Sequence, residues 1–211
     1  MDMTDKLFKS ESAMECKITV EDVLKQIKIH AFSAVVAGGY CRDVFHGVPH
    51  KDIDVCMYGF YPEDPDELIL LEQLKHWLNA SLPMGVVDLT AAGEGFDYDG
   101  EGSKRINFVW NLPDLKVDII CWNAKSFKEI VNGFDCNLNQ FYLPSTVMNH
   151  ECFHDRYNPS LEESPVYFGD TDLSELVWLK NVDGGRQSKM YEKHKSFYPW
   201  RYSVPGDATP F

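Results

Sequence analysis

The sequence predicts an α+β domain: a small mixed sheet flanked by helices, with a short helical extension at the C-terminal end. Three observations predict it. Four apolar runs of strand length, "AVVAGG", "DIDVCMYG", "RINFVWNL" and "KVDIICW", are separated by turn residues. Between them lie segments with apolar residues at helical spacing, most clearly "EDPDELILLEQLKHWLNA". The 211 residues are 44% apolar and 13% aromatic, enough to bury one sizeable core.

Each element has its own justification. A first helix runs from Val20 to about His30, with Thr19 as cap, Asp22 three residues on, and Val20, Val23, Leu24 and Ile27 on one face. "AVVAGG" is a buried strand ending at Gly38, followed by a helix from Tyr40 to His46 that stops at Gly47. "DIDVCMYG" is the next strand. In the long helix Asp64 caps, Pro65 takes the first position, Glu67 closes a capping box, and Leu68, Leu71, Leu74 and Leu78 form the buried side. Gly93 to Ser103 is Gly- and acid-rich and reads as an exposed loop. "RINFVWNL" and "KVDIICW" form a hairpin turning at Pro113-Asp114. "SFKEIVNGF" is a helix ending near Gly133, and "CNLNQFYL" a further strand. From Leu173 to about Tyr198 the pattern is helical, broken at Gly184-Gly185.

Composition bounds the function classes. No run of about 18 uninterrupted apolar residues is present, so no membrane span is expected. The N-terminus lacks the apolar stretch of a signal peptide, and the expected location is cytoplasmic. Six cysteines without a Cys-x-x-Cys are read as free thiols. His150, Cys152 and His154 alternate at i, i+2, i+4 with no second pair at a familiar zinc spacing, so a surface loop is the better reading. The net charge of −13 repels nucleic acid at long range. Its distribution is uneven. Between Phe60 and Gly102 ten Asp and Glu face Lys75; toward the C-terminus Lys180, Arg186, Lys189, Lys193, Lys195 and Arg201 face Asp183 and Glu192. A bound polyanion would meet that second stretch, although a charge run by itself is more often a solvated helix face.

The candidate chemistry lies in "VVAGGYCRDVFHGVPHKDIDV". On a strand Asp52 and Asp54 point to one face about 7 Å apart, while Ile53 and Val55 point into the core. Such a pair alone is usually plain alternation. Three features shift the balance. Gly38-Gly39 ends a strand and starts a helix, where backbone can approach a phosphate. Arg42, one turn into that helix, can grip a triphosphate in fork geometry or pair with Asp43. Asp118, between Val117 and Ile119, places a third carboxylate on an apolar strand. If the strands are neighbours, the three carboxylates suit a pair of Mg²⁺ or Mn²⁺ ions.

The Gly-Gly-x-x-Arg-Asp … Lys-Asp-x-Asp pattern of this stretch resembles the signature of the polymerase-β-like nucleotidyltransferases. Within them it is similar to the head domain of bacterial-type poly(A) polymerases and CCA-adding tRNA nucleotidyltransferases. "FDCNLNQFYL" resembles a later family segment, with Asp135 and Asn139 on its Asp and Asn, though the basic pair before that Asp is missing. The resemblance covers roughly residues 17–143. It implies a catalytic core over 17–143 and an extension, 144–211, packed on the same domain. It implies that Asp52, Asp54 and Asp118 hold two Mg²⁺ ions, with Mn²⁺ as a substitute. Gly38, Gly39 and Arg42 would position an NTP, Asp43 would brace Arg42 or the ribose, and Asn139 would lie near the nucleotide. Lys180, Arg186 and Lys189 are added from local charge, against the leaving pyrophosphate. The implied reaction is EC 2.7.7-type transfer of a nucleotide to an acceptor hydroxyl on an RNA or tRNA 3′ end, a protein or a small molecule. The stretch after Leu143 is short beside the helical regions with which the family reads tRNA, which favours a smaller or different acceptor. The alternative is a nucleotide-binding or regulatory module without turnover.

Overall fold

The computed structural model describes residues 18–89, 105–148 and 157–203. The expected Gly93–Ser103 loop and the His150, Cys152, His154 group lie outside the described residues. Helix α1 (Val20–Ile29) starts as predicted: Thr19 and Asp22 close a reciprocal capping box, and Val23, Leu24 and Ile27 are fully buried. Strand β1 (Ser33–Val36) leads into helix α2 (Gly39–Phe45), then strand β2 (Ile53–Tyr58). Helix α3 (Pro65–Ser81) is capped by Asp64, whose side chain accepts from the Asp66 amide. Short β3 (Val87–Asp88) precedes the β4 (Ile106–Leu112)–β5 (Val117–Trp122) hairpin. Helix α4 (Phe127–Asn132), β6 (Phe141–Tyr142), β7 (Val166–Tyr167) and helix α5 (Gly184–Phe197) follow.

The predicted class is what the structure has. A five-stranded sheet in the order β1-β2-β5-β4-β3 is mixed, since β2 and β5 run parallel and the other neighbours antiparallel. Strand alternation divides its side chains into two cores. On one face Ala34, Val36, Val55, Met57, Ile119 and Trp110 pack with α1 and α3. On the other Val35, Cys56, Ile120 and Trp122 pack with Ile130 and Val131 of α4. Asp54 and Asp118 share the parity of this second face, each the second residue of its strand. Cys41, Cys56, Cys121 and Cys136 are buried free thiols, as expected.

Four expectations need correction. Glu67 does not close a capping box; its carboxylate reaches back to the Tyr61 amide at 2.7 Å. Leu68 is 44% exposed, because α3 meets the core only from Leu71 onward, through Leu71, Leu74 and Leu78. "CNLNQFYL" is a 3-10 turn over Asn137–Asn139 and then two strand residues. The segment from Leu173 to Asp183 is not helical. Its backbone serves the 135–137 loop instead: Val177 O accepts from Asn137 N at 3.0 Å and Leu179 N donates to Asp135 O at 2.9 Å. Gly184-Gly185 is therefore the start of α5, and Asp183 caps it by accepting from the Arg186 amide at 2.9 Å.

Candidate active site

Strand β1 ends in a turn that L-residues with side chains avoid. Gly38, at φ 82° and ψ −132°, is the residue before α2. A Cβ there would come 3.5 Å from Asp54 Oδ2 and from the Phe134 ring. The Gly39 amide, at the head of α2, donates to the Asp54 carboxylate. Backbone N–H, carboxylate and aromatic edge thus meet within one turn.

The carboxylates come together across strands. Asp54 of β2 and Asp118 of β5 are direct register partners in the parallel pair, so both side chains leave the same sheet face. Asp52 precedes β2, is exposed, and sits close enough for its charge to act on both. Burial, then the charges of Asp52 and Asp118, push the Asp54 carboxyl up to about 7, against the opposing pull of Arg42 and the Gly39 amide. Asp118 is raised too, by burial first and by Asp52; the Asn111 amide, donating to Oδ1 at 2.7 Å, opposes the rise.

The three acids supply only hard oxygen donors, the kind that suits Mg²⁺ or Mn²⁺. Their mutual repulsion is what a divalent cation would relieve. As the side chains stand, among the described residues no group of three or more His, Cys, Asp or Glu is drawn together tightly enough to hold an ion. The donor set fits in kind and in position on the sheet, with closure of the three around an ion still to be made.

Beside the acids a cleft of about 370 Å³ is lined by Gly38, Gly39, Arg42, Asp52, Asp54 and Asn139, joined by residues of α5. Arg42 is buried; its Nε donates to Asp43 Oδ1 at 2.7 Å and Nη1 to Asn139 Oδ1 at 2.5 Å. Asn139 Nδ2 donates to Asp135 Oδ1 at 2.7 Å, and Arg186 Nε donates to Asp135 Oδ2 at 2.5 Å. A continuous polar chain therefore joins α2 to α5 along the cleft. Burial alone would raise the Asp135 carboxyl, but the Arg186 guanidinium and the Asn139 amide together hold it below the usual carboxylate range. Lys193 closes the other end, with Nζ 2.8 Å from Asp43 Oδ2.

Of the residues singled out from sequence, Gly38, Gly39, Arg42, Asp43, Asp52, Asp54, Asp135, Asn139, Arg186 and Lys189 line this cleft. Asp118 stands beside Asp54 but outside the lining. Lys180 is not among the lining residues; its backbone amide donates to the Asp135 carbonyl at 3.3 Å. Sequence reasoning gave no site role to Lys51, Phe134, Met190 and Lys193 among the lining residues, although Lys51 lies in the quoted pattern and Lys193 in the basic stretch. Lys193 was within reach: it lies two turns after Arg186, on the stripe of α5 that also carries Lys189. Asn111 gave no signal, since a polar residue inside a strand reads as ordinary alternation.

The fold and site define an α+β domain in which a glycine turn, a polar cleft and paired strand acids share one end of a mixed sheet. No protein-family model matches the sequence, and comparison with curated proteins finds no match. Solved structures similar to the chain include a CCA-adding enzyme in complex with ATP (16% identity, TM-score 0.46, 85% of this chain and 37% of that one). Others are the Bacillus stearothermophilus CCA-adding enzyme in complex with CTP (16%, 0.39, 86% and 35%) and the Thermotoga maritima CCA-adding enzyme complexed with tRNA (21%, 0.38, 58% and 24%). The chain spans between about a quarter and just over a third of the length of these enzymes.

Proposed function

We propose that the chain is a nucleotidyltransferase of the EC 2.7.7 type, with residues 17–143 as its core and 144–211 packed on it. It would move a nucleoside monophosphate from an NTP to an acceptor hydroxyl and release pyrophosphate. One observation carries the reading: Asp54 and Asp118 are register partners on one sheet face, beside a glycine turn that opens a cleft lined by five basic and four acidic side chains. Asp52, Asp54 and Asp118 would hold two Mg²⁺ ions, with Mn²⁺ as substitute; these supply charge neutralisation at the entering and leaving oxygens.

The chain's own residues have distinct tasks in this reading. Gly38 and Gly39, having no side chains, let the phosphates approach the backbone closely. Arg42, held by Asp43 and Asn139, fixes the triphosphate, and Asn139 lies beside the nucleotide. Lys51, Arg186, Lys189 and Lys193 face the charge that builds on the pyrophosphate. The acceptor oxygen bonds to the α-phosphorus as the bond from that phosphorus to its bridging oxygen breaks. The electron pair departs with pyrophosphate, and the hydroxyl proton passes to Asp118.

The test is incubation with each α-labelled NTP and Mg²⁺ against total RNA, tRNA, small hydroxylated acceptors and the protein itself. Label on an acceptor, lost in Asp54→Ala, is expected. An acceptor identified as an RNA 3′ end, a small molecule or a protein side chain fixes the substrate class. No transfer, with no rise in melting temperature at millimolar NTP and Mg²⁺, overturns the reading. The alternative is a nucleotide-binding module without turnover. A thermal shift without label transfer decides for it.

A further inference from the structure

We propose that Asn111 is a positioning residue that orients the Asp118 carboxylate toward the reacting centre. The inference rests on the nucleotidyltransferase reading and adds a residue that the sequence pattern does not indicate. Asn111 lies on β4, directly across from Asp118 in the antiparallel β4–β5 register. Its Nδ2 donates to Asp118 Oδ1 at 2.7 Å, and the assignment is chemically forced, because an ionised carboxylate can only accept. Asp118 in turn lies across from Asp54 in the β5–β2 register. Asn111, Asp118 and Asp54 thus form one row across three adjacent strands, all on one face, with the amide at its outer end.

That arrangement gives Asn111 a defined task. One Asp118 oxygen is occupied, so the torsion of the carboxyl is fixed and the second oxygen is the one left to act. The amide also adds no charge to a row that already carries repelling acids. A Lys or Arg there would pair with Asp118 and compete with a bound cation. An apolar residue would leave Asp118 free to rotate on a half-buried sheet face. Hydrogen-bond partners of this kind, once removed, cost about 10–100-fold in metal affinity or activity. Asn111 does not line the nucleotide cleft, so its removal leaves triphosphate contacts in place.

The test uses the full chain as wild type, Asn111→Ala and Asn111→Leu, the second keeping the side-chain size. Three readouts are compared: Mn²⁺ affinity by electron paramagnetic resonance, the NTP-induced melting shift, and the split of kcat from KM for NTP. In both variants Mn²⁺ binding and kcat fall about tenfold or more, with KM for NTP and the melting shift unchanged. A merely structural role would lower all three together, or none, and either pattern overturns the proposal. Wild-type levels of Mn²⁺ binding and kcat in a folded Asn111→Leu also overturn it, while the nucleotidyltransferase reading stands. If the wild type binds neither Mn²⁺ nor NTP, both fall together.

Discussion

Asp54 sits where burial and two neighbouring acids act in the same direction, and its carboxyl is held near 7 instead of in the ordinary carboxylate range. Linkage gives the sign. The folded-state value lies above the unfolded one of about 3.9, so the fold favours the protonated acid. The penalty for charging it is absent below about pH 4, grows between about pH 4 and 7, and is complete above that. In metal-free protein Asp54→Asn should therefore raise stability by on the order of 2–4 kcal/mol at pH 8 and by nothing measurable at pH 4, as read by urea unfolding. A variant equally stabilised at both pH values would remove the carboxylate crowding. Gly38 offers a second single-residue test. Gly38→Ala forces a side chain into φ 82° against the Phe134 ring, and should cost about 1–3 kcal/mol in denaturant midpoint. At this scale the pattern Gly-Gly, Arg, Asp-x-Asp could be read directly, because its parts, each common alone, follow one another within the single stretch from Gly38 to Asp54. The partners of those residues could not. Nothing in the local sequence links Asn139 to Arg42 or Asn111 to Asp118; only register and chain return bring them together.

Helix α5 shows the same division one level up. Its basic face was legible as a charge run, but its start was not, because Gly184-Gly185 reads as a break in a longer helix. The deciding contacts are tertiary: the backbone before Asp183 pairs with the 135–137 loop, including a bridge between Cys136 and Trp178. The helix is fastened at both ends. Near its start Arg186 pairs with Asp135, and Met190 packs on Cys136 and Leu138. At its end Phe197 stacks on His46, with ring centroids 4.0 Å apart and planes 14° from parallel. His46 Nδ1 donates to the Arg42 carbonyl and Nε2 accepts from the Tyr198 hydroxyl at 2.9 Å. Arg186→Ala strands a nearly buried Asp135 without its cation. It should cost on the order of 3 kcal/mol at pH 7. Because the Asp135 carboxyl is held low in the fold, that loss should shrink as pH falls through the acid range where Asp135 takes up a proton. A deficit that persists undiminished at low pH would assign Arg186 a packing role instead. Lys189→Ala, at an exposed cleft position, should leave unfolding unchanged and weaken the NTP-induced melting shift.

Over the whole molecule, charge is arranged at two ranges. A net −13 sets a repulsive far field for any polyanion, while inside the cleft Arg42, Lys51, Arg186, Lys189 and Lys193 offer an anion close contacts beside Asp43, Asp52, Asp54 and Asp135. Salt separates them, since at 0.15 M the screening length is about 8 Å. Raising KCl from about 20 to 150 mM should speed capture of an oligonucleotide acceptor by weakening the far field, and should weaken NTP binding in the cleft. A small neutral acceptor should show only the second effect, so initial rates measured at the two salt levels report the acceptor class. The class of fold was readable at this scale from four strand-length runs and intervening helical periodicity. The strand order was not, because a parallel neighbour to β2 comes from a hairpin far along the chain.

That parallel pairing of β2 with β5 has a kinetic side. Ile53 meets Val117 only after α3, β3 and β4 have been laid down between them, and every such long closure must be made before its contacts repay it. A one-residue slip at that seam would turn Asp118 to the opposite face while leaving the strand itself intact. In refolding from urea, helical circular dichroism should therefore return first and nucleotide-dependent signal last. Competence in this chain is a late event, gated by one seam between distant segments.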